Sequence, residues 1–268
     1  MAFAFPGAAA PDYSVCLYGS SRVQFRGPRC DLSGAYIACL GGSETFGKCV
    51  PDAFPALLQN RLALPVANLG CVNAGVDVFL AEPAIGEVAA GATVAVVQVL
   101  GAQNLSNRFY TVHPRRNDRF VHASAGLKAL YRDIDFTEFH FTGHLLGALA
   151  RKSPDRFAII ADELRTAWVA RMKLLLARLP CKTLLLWAAN QPPPPRADTG
   201  PVSETPFLVD AGMLATIRTS ATGYLQIESA APAPPTGLHD AAFDAERLGP
   251  ARHHEVAEAL TPVLRAML

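Results

Sequence analysis

Five short apolar segments, separated by longer segments with helical periodicity, constrain the fold of this chain more than any other feature. The apolar segments cover residues 35–42, 65–70, 92–101, 182–189 and 223–228. The helix-like segments cover residues 51–62, 77–90, 153–179, 206–219 and 249–268. Continuously apolar strands are typical of a parallel sheet that helices cover on both faces. The alternation predicts a three-layer α/β/α fold with a five-stranded, mostly parallel sheet in the order 2-1-3-4-5.

Length and composition limit the number of domains and the kind of partner. A chain of 268 residues is long enough for one α/β domain with a large core, so we predict a single domain over 1–268 with an N-terminal extension at 1–34. Charged residues make up 18% of the chain and the formal net charge is +1, which argues against nucleic acid as a partner. The sequence is compatible with an oligomer but does not require one.

The N-terminus and the cysteines bear on the cellular compartment. The first residues lack the basic region and the continuous apolar region of a signal peptide, and no apolar run reaches the length of a membrane span. The six cysteines include no C-x-x-C pair, which favours reduced thiols over a disulfide framework or a zinc site. These features predict a cytoplasmic protein without a membrane span.

Three long segments depart from the strand and helix alternation. They are a polar, aromatic and basic insertion at 102–152 and two proline-rich segments at 191–206 and 229–250. Each follows a predicted strand, and ligands in open α/β sheets bind beyond the carboxyl ends of the strands. We therefore expect a site at that edge of the sheet, with the long insertion after the third strand lining the cleft.

Ser43 lies where the first apolar segment stops, in the stretch "YIACLGGSETFGKCVPD" (36–52). A buried strand that ends at two glycines and a serine brings one polar side chain to the sheet edge. Such a serine is a candidate nucleophile, provided that a neighbouring imidazole takes its proton. The alternative is a turn residue that acts like a helix N-cap.

Four segments resemble, in order and placement, the sequence blocks of the SGNH, or GDSL-type, hydrolases. They are "GGSETFG" (41–47), "NLGCVNAG" (68–75), "GAQN" (101–104) and "DAERLGPARHHEVAEAL" (244–260). The resemblance covers the sheet core, residues 35–101 and 160–268, and implies a flavodoxin-like sheet and acyl-ester chemistry. The string "SNRFYTVHPRRNDRF" (106–120) is also similar to an uncharacterised bacterial domain family.

The resemblance assigns roles to residues of the first three blocks. Ser43 matches the nucleophile, and Gly70 or Gly75 matches the glycine that offers a backbone N–H to the oxyanion. Gln103 falls where the family has its asparagine, and Asn104 follows one position later. We expect Gly75 with Gln103 or Asn104 to hold the oxyanion, because a tetrahedral intermediate needs preorganised donors.

The last block departs from the family pattern at its base. Asp244 matches the family's aspartate, but Arg247 stands where the histidine is expected. An arginine stays protonated at neutral pH and cannot act as a base. Gly42 also replaces the family's aspartate before the serine, which removes a carboxylate and leaves the nucleophile.

Three histidines are candidates for the missing base. His253 and His254 lie at the start of the last predicted helix, and His239 lies in the preceding loop. We expect His253 to serve as the base, with Asp244 or Asp240 orienting it, since a triad is recognised by geometry and not by spacing. The alternative is a pair of histidines hydrogen-bonded locally at a helix N-terminus.

The insertion carries a basic and aromatic cluster. Its basic side chains are Arg108, His113, Arg115, Arg116 and Arg119, and its aromatic side chains include Tyr110. Guanidinium groups bind carboxylate, phosphate or sulfate, and aromatic rings stack on sugars. The alternative is a structural loop held by Asp118, Asp133 and Asp135.

A second cluster, at 131–146, bears on metal binding. His140 and His144 have the H-x-x-x-H spacing beside Glu138, but the glutamate of the zinc-protease pattern is missing. An aromatic helix that packs phenylalanines on the core is the preferred interpretation. No phosphate-binding or dinucleotide-binding glycine pattern occurs either, so we predict no metal and no cofactor.

Together these features predict an acyl-ester hydrolase or acyltransferase with a serine nucleophile, acting on a small-molecule or glycan substrate that carries a negative group. Its expected substrate-binding residues are Arg108, Arg115, Arg116, Arg119, Tyr110 and Arg247. The alternative is a catalytically degenerate protein with the same fold that binds an anionic glycan or a protein partner. A histidine nitrogen within hydrogen-bond reach of the Ser43 hydroxyl separates the two.

Overall fold

The computed structural model describes residues 13–196, 206–228 and 249–268. Two short strands, β1 (Val15–Cys16) and β2 (Phe25–Arg26), pair antiparallel near the N-terminus. The main sheet contains β3 (Ile37–Gly41), β4 (Val66–Gly70), β5 (Val94–Gln98), β8 (Lys182–Ala189) and β9 (Gly223–Glu228). Its order is β4-β3-β5-β8-β9 and every pairing is parallel, which confirms the predicted order 2-1-3-4-5.

Helices cover both faces of the sheet. The helices of the described chain, including two in the insertion, are α1 (Ser43–Phe46), α2 (Phe54–Leu62), α3 (Val76–Ala81), α4 (Pro83–Ala90), α5 (Ala125–Leu130), α6 (Thr142–Lys152), α7 (Pro154–Ala177), α8 (Ala211–Arg218) and α9 (Pro250–Met267). Ile37 and Cys39 pack with α2 and α9, whereas Ala38 and Leu40 pack with the cluster that contains α4, α7 and α8. This alternation is the period of two in a strand, with both faces buried, and it gives the predicted three-layer α/β/α fold.

The predicted helix at 77–90 is two helices. The first ends at Ala81, and α4 begins at Pro83 with Glu82 as its N-cap. A proline has no backbone N–H to donate to the preceding turn, so the helical hydrogen bonding stops and restarts there. The start of α7 agrees with the prediction, since the Ser153 hydroxyl accepts the N–H of Arg156 at 3.4 Å and Pro154 is the first helical residue.

The insertion after β5 contains a β-hairpin that the sequence pattern did not predict. Strands β6 (Tyr110–His113) and β7 (Arg116–Ala123) pair antiparallel. Asn117, which is buried, connects this hairpin to α3, because its Oδ1 accepts the N–H groups of Gly75 and Val78 at 3.0 Å each. The insertion therefore contacts the loop that follows β4.

The predicted aromatic helix within 131–146 is wrong in its extent. A single 3₁₀ turn covers Phe136–Glu138, and α6 begins only at Thr142. Phe139 is buried, but Phe141 is 43% exposed. His140 precedes α6 and His144 lies within it, so the two imidazoles do not share one helical face. In the part of the chain that the structure describes, no group of three histidine, cysteine or acidic side chains is arranged to hold a metal ion.

The N-terminal extension packs against the loop that follows α1. The buried guanidinium of Arg26 donates to the carbonyl oxygens of Gly47, Val50 and Pro51. Across the described ranges, none of the helices combines the length and apolar character that crossing a bilayer requires.

Candidate active site at the carboxyl edge of the sheet

Ser43 is the first residue of α1, directly after the carboxyl end of β3. A glycine is required two residues before it, because a Cβ at Gly41 would overlap the side chains of Thr45 and Gln98. The N-cap of α1 is Gly42, and no side chain caps that turn. Ser43 therefore does not act as the N-cap that the sequence left open, and its half-buried hydroxyl has other partners.

The Ser43 hydroxyl makes two hydrogen bonds, both to Asn73 in the loop after β4. Its Oγ donates to Asn73 Oδ1 at 3.1 Å and accepts the backbone N–H of Asn73 at 3.0 Å. Asn73 has a φ of 55°, in the left-handed region that asparagine tolerates better than most residues. The loop after β4 therefore sets the direction of the serine hydroxyl.

The remaining polar groups of Asn73 connect two further segments to the serine. Its Nδ2 donates to Asp118 Oδ2 on β7 at 3.2 Å, and its carbonyl oxygen accepts Asn104 Nδ2 at 3.1 Å. Sequence reasoning missed Asn73 and treated Asp118 only as a partner for arginines. The available signal was an asparagine two residues before the glycine that ends "NLGCVNAG".

Behind the serine, Gln98 fixes the start of α1. Its Oε1 accepts the N–H of Gly42 at 2.9 Å and the hydroxyl of Thr45 at 2.7 Å, and its Nε2 donates to Glu44 Oε2 at 3.0 Å. This buried amide was also missed by sequence reasoning. Its signal is a polar residue within the otherwise apolar strand "VAVVQVLG" (94–101).

Two of the predicted oxyanion residues, Gly75 and Asn104, lie close together and are engaged in structural hydrogen bonds. The N–H of Gly75 donates to Asn117 Oδ1, so it does not point to an open oxyanion position. The Oδ1 of Asn104 accepts Thr142 Oγ1 at 2.5 Å, while its Nδ2 donates to Asn73. The Oε1 of Gln103 is buried and has no hydrogen-bond partner within the described chain. For Gly75 and Asn104 this arrangement indicates a positioning role.

His253 is buried in the layer formed by α2 and α9, away from hydrogen-bonding contact with Ser43. Its Nδ1 accepts the backbone N–H of Phe54 at 3.0 Å, and its ring stacks on that of Phe54 with 6.1 Å between centroids. A neutral imidazole whose Nδ1 accepts carries its proton on Nε2. Among the described residues, no histidine hydrogen-bonds to the Ser43 hydroxyl, so these contacts do not support the expected base.

His254 is exposed on the first turns of α9. Four further predicted residues, from the late block and from the loop that precedes it, lie outside the described residues. They are His239, Asp240, Asp244 and Arg247.

The four arginines of the basic and aromatic cluster divide into two groups. Arg108 forms an ion pair with Glu163 on α7 at 3.0 Å, and the Arg119 guanidinium lies 4.2 Å from the ring centroid of Phe141. Arg115 and Arg116 are exposed at the turn between β6 and β7. Within the described chain neither residue of the second pair forms an ion pair, and both lie close in sequence to Asp118.

Tyr110 is a core residue and not the predicted stacking platform. It is 1% exposed, and its hydroxyl donates to the carbonyl oxygen of Gln103 at 2.6 Å. Burial raises the pKa of this phenol well above its ordinary value. Its role is to hold the hairpin against the loop after β5.

The sheet order, the two helical layers and a serine at the carboxyl edge define the structural class of this protein as a three-layer α/β/α domain. The whole chain, residues 1–268, matches the family described as Domain of unknown function (DUF6473), and the chain belongs to that family. No curated protein matches the sequence. A similar solved structure is an extracellular lipase from Streptomyces rimosus, with 12% identity, 88% of this chain and 100% of that chain covered, and a TM-score of 0.43.

Proposed function

We propose that this protein is an acyl-ester hydrolase or acyltransferase in which Ser43 is the nucleophile. The observation that carries the proposal is the hydroxyl of Ser43, held by two hydrogen bonds to Asn73 at the carboxyl end of a central parallel strand. A reacting group that is already held in one orientation loses less entropy on reaching the transition state, and this is a main source of enzymatic rate acceleration. A cytoplasmic location is part of the proposal.

The chemistry requires a base that accepts the serine proton. As Oγ forms a bond to the acyl carbon, the proton passes to the base and then to the departing alcohol, and water or an acceptor alcohol later releases the acyl group. The Asn73 amide oxygen that now accepts this proton is not a base. His253 is the proposed base, with His254 and His239 as alternatives and Asp244 or Asp240 as the orienting carboxylate.

His253 has to change one contact to take this role. Its Nδ1 would release the N–H of Phe54, so that either Nδ1 itself accepts the serine proton or, in the tautomer with the proton on Nδ1, Nε2 accepts it. Catalytic hydrogen bonds are often loose before substrate binds, which keeps His253 within the proposal. The oxyanion is proposed to lie near Gly75 and the amides of Gln103 and Asn104, after the Gly75 N–H and the Asn104 amide release their present acceptors.

The proposed substrate carries a negative group or a sugar. Arg115 and Arg116 support this, because both are exposed at the hairpin turn that leads into Asp118, and Asp118 hydrogen-bonds to Asn73. Arg108, Arg119 and Arg247 complete the proposed basic surface. Nucleic acid is not among the proposed ligands, because the formal net charge of the chain is only +1.

A serine-directed fluorophosphonate label and a panel of short-chain aryl esters test the proposal. We expect the wild type to be labelled at Ser43 and to hydrolyse at least one ester. Ser43→Ala should abolish both, and His253→Ala should abolish both if His253 is the base. The matched control is Ser20→Ala, since Ser20 is exposed. Labelling that persists in Ser43→Ala, or a wild type that neither labels nor turns over any ester, contradicts the proposal.

A binding protein is the second candidate, and one pair of contacts favours it. The Ser43 hydroxyl donates to an amide oxygen, and the His253 Nδ1 accepts a backbone N–H, so neither is arranged for proton transfer. Such a protein would hold an anionic glycan or a protein partner in the same cleft. This candidate predicts that the protein binds a glycan but turns over no ester. The glycan binding should survive Ser43→Ala and should be lost in the double variant Arg115→Ala, Arg116→Ala.

A further inference from the structure

Arg252 lies in the first turn of α9, three residues after the N-cap residue Gly249. Its side chain is only 5% exposed, so the guanidinium is buried although the residue begins an amphipathic helix. The Nη2 group donates to the carbonyl oxygen of Ala189 at 2.6 Å. Because Ala189 is the last residue of β8, this contact places the guanidinium at the carboxyl edge of the sheet.

The other donors of this guanidinium have no partner within the described chain. Arg252 Nε and Nη1 are both buried and make no hydrogen bond to any described residue. No carboxylate of the described chain forms an ion pair with Arg252. Glu255, one turn further along α9, is exposed and acts on Arg252 only through space.

A buried guanidinium with a single hydrogen bond is costly to keep. An ion taken out of water loses its hydration, and only an opposite charge with well-directed hydrogen bonds compensates for that loss. Consistent with this, burial lowers the pKa of Arg252 from its ordinary value. Unsatisfied buried groups of this kind call for an explanation, and a bound ion is one that fits a cation.

The N-terminus of α9 adds a second attraction for an anion. This helix contains 18 residues, and no described side chain caps its N-terminus. The first backbone N–H groups of a long helix have no partner within the helix, and its dipole favours negative charge at that end. The guanidinium with two unused donor groups therefore belongs to the first turn of the helix whose N-terminus is uncapped.

We propose that Arg252 and the N-terminus of α9 form a binding site for an oxyanion, which is a carboxylate, phosphate or sulfate group of a ligand. The guanidinium supplies Nε and Nη1 as donors while the bond from Nη2 to Ala189 holds its orientation. Charge-assisted hydrogen bonds to such a fork are among the strongest in proteins. This site is separate from the exposed arginines of the hairpin turn.

The position of the site also suggests how a substrate would lie. Strands β3 and β8 both neighbour β5, so the Ser43 and Ala189 ends are separated by about 10 Å at the usual strand spacing. If the proposed function holds, the substrate spans from the end of β3 to the end of β8, with its ester carbonyl at the first and its negative group at the second. Binding of the anion itself does not depend on that function.

Equilibrium dialysis with radiolabelled inorganic phosphate and sulfate tests the site, with chloride at matched ionic strength in every sample. We expect saturable binding of about one equivalent by the wild type, and at least a roughly tenfold weaker affinity in Arg252→Met. The matched control is Arg61→Met, which changes the net charge equally at an exposed position. It should bind like the wild type, as should Ser43→Ala, whatever the outcome for catalysis.

A second substitution of Arg252 keeps the test decisive if Arg252→Met does not fold. Arg252→Lys keeps the charge but offers a single donor centre, so it should fold and bind more weakly than the wild type. If Arg252→Met does not fold, the affinity of Arg252→Lys decides the matter. The proposal is overturned if the wild type shows no saturable binding, if either Arg252 variant binds as tightly as the wild type, or if only the double variant Arg115→Ala, Arg116→Ala loses binding.

Discussion

The polar groups around Ser43 and those around Arg252 lie at the same edge of the sheet but differ in how completely they are paired. Asn73 uses its N–H and its amide oxygen in hydrogen bonds to the serine, and its amide nitrogen and carbonyl oxygen in hydrogen bonds to Asp118 and Asn104. Within the described chain, Arg252 uses one donor group of three. The hydrogen bonds around Ser43 therefore fix its geometry before a ligand binds. The charge of Arg252, in contrast, has no opposite charge paired with it among the described residues.

This difference indicates different tasks for the two regions. A fully paired polar network restricts side chains to one arrangement, which suits a group that must present an atom in a fixed direction. An unpaired buried cation gains most from a ligand that completes its hydrogen bonds. Variants that remove one partner from each region therefore test whether the two regions have different tasks.

The largest expected effect is that of Ser43→Ala on catalysis. Removing a nucleophile should lower the rate by about a thousandfold or more while leaving the fold intact. Ester turnover and the circular dichroism spectrum provide the two measurements. A residual rate within roughly tenfold of the wild type would show that the region around Ser43 does not perform the chemistry.

The next effect is that of Asn73→Gly. Glycine adopts the left-handed φ of 55° and keeps the N–H bond to Ser43 Oγ, so only the side-chain amide is lost. We expect kcat to fall by roughly 10-fold to 100-fold with little change in KM, because the hydroxyl loses one of two directing bonds. Equal kinetics for variant and wild type would mean that Asn73 and Asp118 do not orient the serine.

Packing around the site gives a prediction about stability. In Gly75→Ala the new Cβ overlaps the carbonyl group of Asn104, so the free energy of unfolding should fall by about 1 to 3 kcal/mol. The control is Gly86→Ala within α4, where a Cβ meets nothing within 4 Å. It should raise the free energy of unfolding by up to about 1 kcal/mol, since alanine favours helix over glycine. Urea titrations of both variants check the pair, and equal effects would contradict the close approach.

The smallest effect is expected from Arg252→Met in a buffer without phosphate, sulfate or carboxylate. Replacing an uncompensated buried charge by an apolar side chain is often neutral or stabilising, so the free energy of unfolding should stay within about 1 kcal/mol of the wild type or rise. Added phosphate should stabilise only the wild type. A loss of more than about 3 kcal/mol in the anion-free buffer would instead indicate a well-paired arginine.

Much of the fold could be predicted because it follows local and short-range rules. The sheet order came from the spacing of the apolar segments and the handedness of crossovers, and the cap at Ser153 came from residue types at a helix start. The hairpin at 110–123 was not predicted, because its polar and basic residues hide the period of two. The sequence placed the candidate site at the carboxyl edge of the sheet. Of Ser43 and the residues that orient its hydroxyl, it identified only Ser43 in that role.

The sequence by itself determined the order of strands and helices, the glycines that permit close approach, and the position of Ser43 after β3. These depend on residue type and on neighbours within a few positions. Only the tertiary structure decided the partners of the polar groups. Ser43 and Asn73 are 30 residues apart, Asn73 and Asp118 are 45 apart, and His253 and Phe54 are 199 apart. No local pattern records such pairings, because they arise from the way the sheet and its covering helices pack.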